Sequence, residues 1–123
     1  MQNPELGAIQ ERFACIVWDH EPISSGELAK LCETELGWKR PTTYTVLRKL
    51  CEKGLLQNRE GIVTSLVSRE SYYSEKSGQI IDESYQGSLP AFVAAFISRN
   101  TISAEEVEEI QRMIDAFRKE GEG

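Results

Sequence analysis

The stretch "GWKRPTTYTVLRKLCEKGLL", residues 37–56, decides how this chain folds. Pro41 suits a first helical turn, and nothing interrupts "TTYTVLRKLCEK" until Gly54, a residue that tolerates the left-handed end of a helix. A helix is therefore predicted over about residues 41–53. At 100° per residue, Thr43, Val46, Leu47 and Leu50 share one side and must face a core. Pro41, Thr45, Arg48 and Glu52 cluster within about 40° of the opposite side, flanked by Thr42 and Lys49 on one edge and Tyr44 on the other. Cys51 falls about 80° from the buried centre, where partial exposure is expected.

Working upstream, "EPISSGELAKLCETELGW" reads as a short helix over about residues 25–36. Ser24 and Glu27 have the spacing of a capping box, Leu28, Leu31 and Cys32 supply the buried side, and Gly37 suits the C-cap. Before it, "PELGAIQERFACIVWDH" places Leu6, Ile9, Phe13, Ile16 and Val17 at helical spacing with Pro4 near a first turn, a helix buried on one side. Downstream, "LLQNREGIVTSLVS" is rich in aliphatic and β-branched residues around a Glu60-Gly61 turn, the pattern of a β-hairpin over about residues 55–68. A helix, two helices across a tight turn, then a hairpin is the order of a winged helix-turn-helix in which the hairpin is the wing.

From about Ser74 the pattern is helical again. "GQIIDESY" is a faint segment, "SLPAFVAAFISRN" a clear one behind Ser88, and "TISAEEVEEIQRMIDAFRKE" opens on a second capping box, Ser103 with Glu106. Val107, Ile110, Ile114 and Phe117 then recur at coiled-coil spacing. So short a seam needs a partner surface, either the rest of its own domain or a second copy. The fold class is mainly α, with a winged-helix domain at 1–73 followed by C-terminal dimerisation helices at 74–123. The surface expected to join two copies comprises Phe92, Phe96, Ile97, Val107, Ile110, Ile114 and Phe117.

Charge points to what the middle of the chain does. The net charge of −6 argues against indiscriminate coating of nucleic acid, yet residues 37–60 hold six basic and two acidic side chains. Arginine can grip guanine O6 and N7 together, threonine offers a hydroxyl and a methyl, and lysines meet phosphates. Lys39, Arg40, Thr42, Tyr44, Thr45, Arg48, Lys49 and Arg59 are therefore the candidate DNA contacts, with the helix in a major groove and the wing along the backbone. Lys53 projects from the helix side and is left out, its charge suiting the helix end. The rival reading is a winged helix that docks proteins through complementary acidic and basic surfaces. An enzyme finds little support, with no nucleophile elbow, no glycine-rich phosphate loop and a single His20 placed as a helix-end residue.

The three cysteines, Cys15, Cys32 and Cys51, stand apart inside helical patterns and read as buried reduced thiols, with redox control through Cys51 as a side possibility. No cofactor or metal is called for. No apolar run reaches membrane-spanning length and the first residues carry no export signal, which leads to the expectation of a cytoplasmic protein without membrane insertion.

The residues Trp38, Thr45, Val46, Leu47, Leu50, Lys53 and Gly54, together with "WDHEPISSGELAKLCE", resemble the penicillinase-repressor family of BlaI, MecI and CopY repressors, over nearly the whole chain. The resemblance implies a homodimeric winged-helix repressor of transcription on a double-stranded, inverted-repeat operator. Copper-responsive members carry paired cysteines near the C-terminus, whereas this chain has none after Cys51. In β-lactam-responsive members a membrane sensor protease leads to cleavage between an Asn and a Phe. The corresponding pair here is Ala95-Phe96, where the Phe matches and the Asn does not, and a buried aromatic in the dimer core explains Phe96 as well.

Overall fold

A computed structural model describes residues 3–122. The element order is α1 (Ala8–His20), β1 (Ile23–Ser24), α2 (Ser25–Leu36), α3 (Arg40–Glu52), β2 (Leu56–Arg59), β3 (Ile62–Ser65), α4 (Arg69–Tyr85), α5 (Leu89–Ile97) and α6 (Ala104–Glu122). The strands form one antiparallel sheet in the order β1-β3-β2. This is a mainly helical chain with a winged helix. It divides into two compact units, the first ending at Gln79 and the second beginning at Ile80.

In the first unit α1 starts later than its apolar spacing suggests. Gly7, in extended conformation, is the N-cap, and its N–H donates to the Gln10 side chain at 3.3 Å. Pro4 and Leu6 precede the helix, and Leu6 packs on the core from there. Phe13, Ala14, Ile16 and Val17 are buried as expected, but Ile9 on the first turn is 53% exposed. α2 matches its expected bounds. The Ser24 hydroxyl accepts from the Glu27 N–H at 3.1 Å, and Gly37 closes the helix at φ 70°. Trp38 then turns inward and stacks on Phe13 with ring centroids 5.7 Å apart.

α3 lies one residue earlier than its predicted span, with Lys39 at the N-cap and Pro41 in the first turn. Thr43, Leu47 and Leu50 are buried and Val46 is half-buried. Gly54 takes φ 83°, and the Leu55 N–H returns to the Leu50 carbonyl at 3.0 Å, closing the helix end with a glycine in the left-handed region. Leu55 and Leu56 then plunge into the core beside Val63. The regular strands of the predicted 55–68 wing are Leu56–Arg59 and Ile62–Ser65, and beyond them the Leu66 N–H still donates to the Leu55 carbonyl at 2.7 Å. Its turn places both Glu60 (φ 52°) and Gly61 (φ 84°) at positive φ, the geometry whose twist suits a tight hairpin. The sheet gains β1, which the sequence pattern does not reveal: Ile23 and Ser24 pair with Val63 and Ile62. The Glu21 carboxylate reinforces it by accepting from the Ser65 N–H at 2.8 Å and from the Ser65 hydroxyl at 2.9 Å.

The core gathers Phe13, Val17, Leu28, Leu50, Leu55, Leu56 and Val63 at 0–1% exposure, so truncating Phe13 to alanine costs about 3–5 kcal/mol. Of the cysteines only Cys32 is buried; Cys15 and Cys51 are half-exposed, each at the margin of its helix's buried face. Among the described residues Thr43 is the one buried polar side chain. Its hydroxyl sits beside the Cys32 thiol, too weak a partner to replace water.

α4 begins at Arg69, ahead of the Ser74 start expected from the pattern. Ser68 caps it, its hydroxyl accepting from the Ser71 N–H at 3.0 Å and its carbonyl from the Tyr72 N–H. The first turns of α4 bind α1 through polar groups. Tyr72, Tyr73 and Lys76 all donate to the Glu11 carboxylate, Arg69 donates to Asp19 at 2.6 Å, and the Trp18 indole donates to the Val67 carbonyl at 3.0 Å. Burial opposes the charge on Glu11, but these donors and the Lys76 ammonium together hold its pKa below the usual carboxylate value. Burial and the Glu11 charge push the Tyr72 hydroxyl up to about 12.

In the second unit, Gln86 (φ 52°) and Gly87 (φ 78°) turn the chain, and the Ser88 hydroxyl caps α5 by accepting from the Ala91 N–H at 3.1 Å. Phe92 meets Tyr85 edge-on at 5.4 Å. Ser103 and Glu106 form the predicted reciprocal cap of α6.

Candidate nucleic-acid interface

α3 positions a compact chemical surface because its inner side is fixed by the core. Thr43, Leu47 and Leu50 are held at 0–3% exposure, so the residues half a turn away are forced outward. Arg40, Thr42, Tyr44, Thr45, Arg48 and Lys49 are exposed on α3, Lys39 is exposed at its N-cap, and Arg59 is exposed at the end of β2, next to the hairpin turn. All eight candidate contacts belong to the first unit.

Two of them already have partners. The Arg48 guanidinium lies 4.0 Å from the Glu52 carboxylate on the next turn, with both side chains about 70% exposed, so the pair is loosely held and easily exchanged for a phosphate or base. The Thr45 hydroxyl donates to the Pro41 carbonyl at 2.9 Å. Among the described residues the side chains of Lys39, Arg40, Lys49 and Arg59 have no carboxylate partner, which leaves their charge available. Lys53 is spoken for elsewhere: its ammonium donates to the Glu5 carbonyl at 3.0 Å and to the Gln10 side chain at 3.1 Å, pinning the end of α3 to the start of α1. Cys51 is only half-exposed, and burial together with the Glu52 charge raises its thiol pKa.

The second unit presents apolar rather than cationic chemistry. Phe92 is half-buried, while Phe96 (44%), Ile97 (51%), Val107 (52%), Ile110 (45%), Ile114 (50%) and Phe117 (77%) are exposed. No described residue of α6 is buried, so its seam is not the core of this unit by itself. Val93 and Met113 are exposed apolar residues as well; the i, i+3 relation of Met113 to Ile110 was the available signal for the second. Ala95 and Phe96 are both exposed within α5. Among the described residues no three His, Cys, Asp or Glu side chains converge as a metal site, and no helix is long and apolar enough to cross a membrane.

The sequence profile described as penicillinase repressor matches residues 6–116. The chain belongs to the penicillinase repressor family. It is similar to the penicillinase repressor of Bacillus licheniformis, with 25% identity over 116 residues that cover 91% of each chain. The methicillin resistance regulatory protein MecI of Staphylococcus aureus (strain Mu50 / ATCC 700699) is 21% identical over 90% of this chain and 94% of its own length. MecI of Mammaliicoccus sciuri is 20% identical over the same shares. The family match runs through the winged helix, α4 and α5 and into α6, so the penicillinase-repressor relationship spans both compact units.

Proposed function

We propose that this chain is a sequence-specific repressor of transcription that acts as a homodimer on an inverted-repeat operator. The observation that carries the reading is the outward face of α3, where hydroxyl, aromatic and guanidinium groups stand on a helix whose other face is locked into the core. Such a face suits a major groove, with Arg48, Thr45, Thr42 and Tyr44 toward base edges and Lys39, Arg40, Lys49 and the wing's Arg59 toward phosphates. In this reading residues 1–73 bind DNA and residues 74–123 pair the subunits. The exposed apolar residues of α5 and α6 support the pairing, since water-exposed Phe117 and Ile114 gain by meeting a second copy. Two linked reading heads then raise specificity without further chemistry. The cellular setting that goes with this role is the cytoplasm. Inactivation by a membrane sensor protease at Ala95-Phe96 belongs to the same reading, and it requires α5 to open locally because a helical backbone does not fit a protease cleft.

A selection from fragmented genomic DNA with the full chain tests the proposal. Enrichment of an inverted repeat, with affinity falling steeply as salt rises, supports it; recovery of no common sequence overturns it.

A further inference from the structure

Among the described residues no lysine, arginine or histidine pairs with Glu21, although the residue lies half-buried at the foot of the wing. What holds it is β3. The register of β1 on β3, Ile23 opposite Val63 and Ser24 opposite Ile62, runs on to set residue 21 opposite Ser65. A regular ladder would continue there through the main chain, but the Glu21 N–H is already given to the Val17 carbonyl at 2.8 Å, in the last turn of α1. Pro22, next in the chain, has no N–H to give. The Glu21 side chain supplies the missing rung. It accepts from the Ser65 N–H at 2.8 Å, and the Ser65 hydroxyl lies 2.9 Å from each carboxylate oxygen.

This rung bears on Arg59. β2, which carries Arg59, is bonded within the sheet to β3 alone, and β3 is bonded on its other side only to the two residues of β1. Leu55 and Leu56 anchor the β2 leg of the hairpin in the core, whereas on β3 only Val63 is buried. Resting on the reading of the wing along the phosphate backbone, we propose that Glu21 is a positioning residue for DNA binding: its carboxylate fixes the β3 leg of the wing and so sets where Arg59 meets a phosphate. The role calls for an acceptor of the right reach rather than for a charge, since both donors from Ser65 are neutral.

The test uses the full chain and the tightest duplex recovered from a random double-stranded library, with affinity measured over a range of salt concentrations. Arg59→Ala lowers the slope of affinity against salt by about one unit, the mark of one lost phosphate contact. Glu21→Asp keeps the charge but shortens the side chain by a methylene, and it lowers the slope as much as Arg59→Ala does. The two together lose no more than either alone. Glu21→Gln keeps the length and an acceptor oxygen, and restores the slope of the unaltered chain. Base preference, read by α3, is the same in every variant, and circular dichroism shows each one folded at the assay temperature. If Glu21→Asp lowers the urea midpoint but leaves the slope untouched, or Arg59→Ala costs as much beside Asp as beside Glu, the positioning role is overturned. It is equally overturned if Glu21→Gln tightens binding while Glu21→Asp changes nothing, because the carboxylate then acts on DNA by its charge alone. An Arg59→Ala variant that binds unchanged removes the wing contact and this inference with it, and the repressor reading stands. If the unaltered chain selects no duplex, the repressor reading itself falls.

Discussion

The Tyr73 hydroxyl donates to the Glu11 carboxylate at 3.1 Å, joining α4 to α1 across a sequence separation of 62 residues. Tyr72 and Lys76 converge on the same carboxylate, whose side chain is only 17% exposed. Folding therefore depresses the Glu11 pKa. A group of that kind contributes stability that is complete above its ordinary value of 4.5 and is lost as pH falls through the lower folded value. Urea unfolding of the protein loses midpoint below about pH 4.5, and Glu11→Gln flattens that decline while lowering stability at neutral pH. An equal acid slope in both proteins would show that the cluster is not responsible.

Thr43 is fully buried, with a hydroxyl lacking a strong partner. Removing a poorly satisfied buried polar group while keeping the shape recovers about 1 kcal/mol. Thr43→Val thus raises the urea midpoint without altering affinity for DNA, because Thr43 points away from the face that carries Thr45 and Arg48.

On that face, Arg48→Ala weakens operator binding by about 1–3 kcal/mol and relaxes the preference at one base position. Lys49→Ala weakens binding to all sequences alike and lowers the slope of affinity against salt by about one unit. Binding isotherms at several salt concentrations on matched and mismatched duplexes separate the two signatures.

Ile114→Glu places a carboxylate in the middle of the exposed α6 stripe. Sedimentation is expected to change from two subunits to one, with the winged unit still folded and operator affinity down about a hundredfold through loss of the linked second contact. A variant that still sediments as two subunits would move the pairing surface away from α6.

At Cys51, burial and then the neighbouring Glu52 charge raise the thiol pKa, so the thiol stays protonated at neutral pH. Thiolate is the reactive form. Alkylation by iodoacetamide at pH 7 is accordingly slow at Cys51, and mild oxidation leaves operator affinity unchanged.

Local signals carried most of the architecture. Ser24 with Glu27, Ser88, and Ser103 with Glu106 each place a helix start correctly, because a capping side chain acts on backbone only three residues away. The α3 wheel sorted buried Thr43, Leu47 and Leu50 from exposed Thr45 and Arg48 for the same reason: helical phase is a short-range property. Other features escaped. β1 is two residues long and cannot show an alternation. The early start of α4 was masked by Tyr72 and Tyr73, aromatic residues that favour strands. The hub at Glu11 and the tie from Lys53 to Glu5 join positions dozens of residues apart, and a linear pattern holds no trace of such distances. Phe117 and its neighbours read as apolar from the sequence, but whether they meet their own unit or another molecule is not a property of spacing.

The joint between α3 and β2 has a mechanical corollary. Lys53, Gly54 and Leu55 make the whole connection, and both leucines that follow the glycine are anchored in the interior. Helix and hairpin thus behave as one stiff two-pronged tool, unable to adjust to a duplex of altered width by moving separately. Inserting a single residue there would exchange Leu56 with Gln57 between the two sides of the strand, so the tool would be miscast from the outset instead of merely loosened.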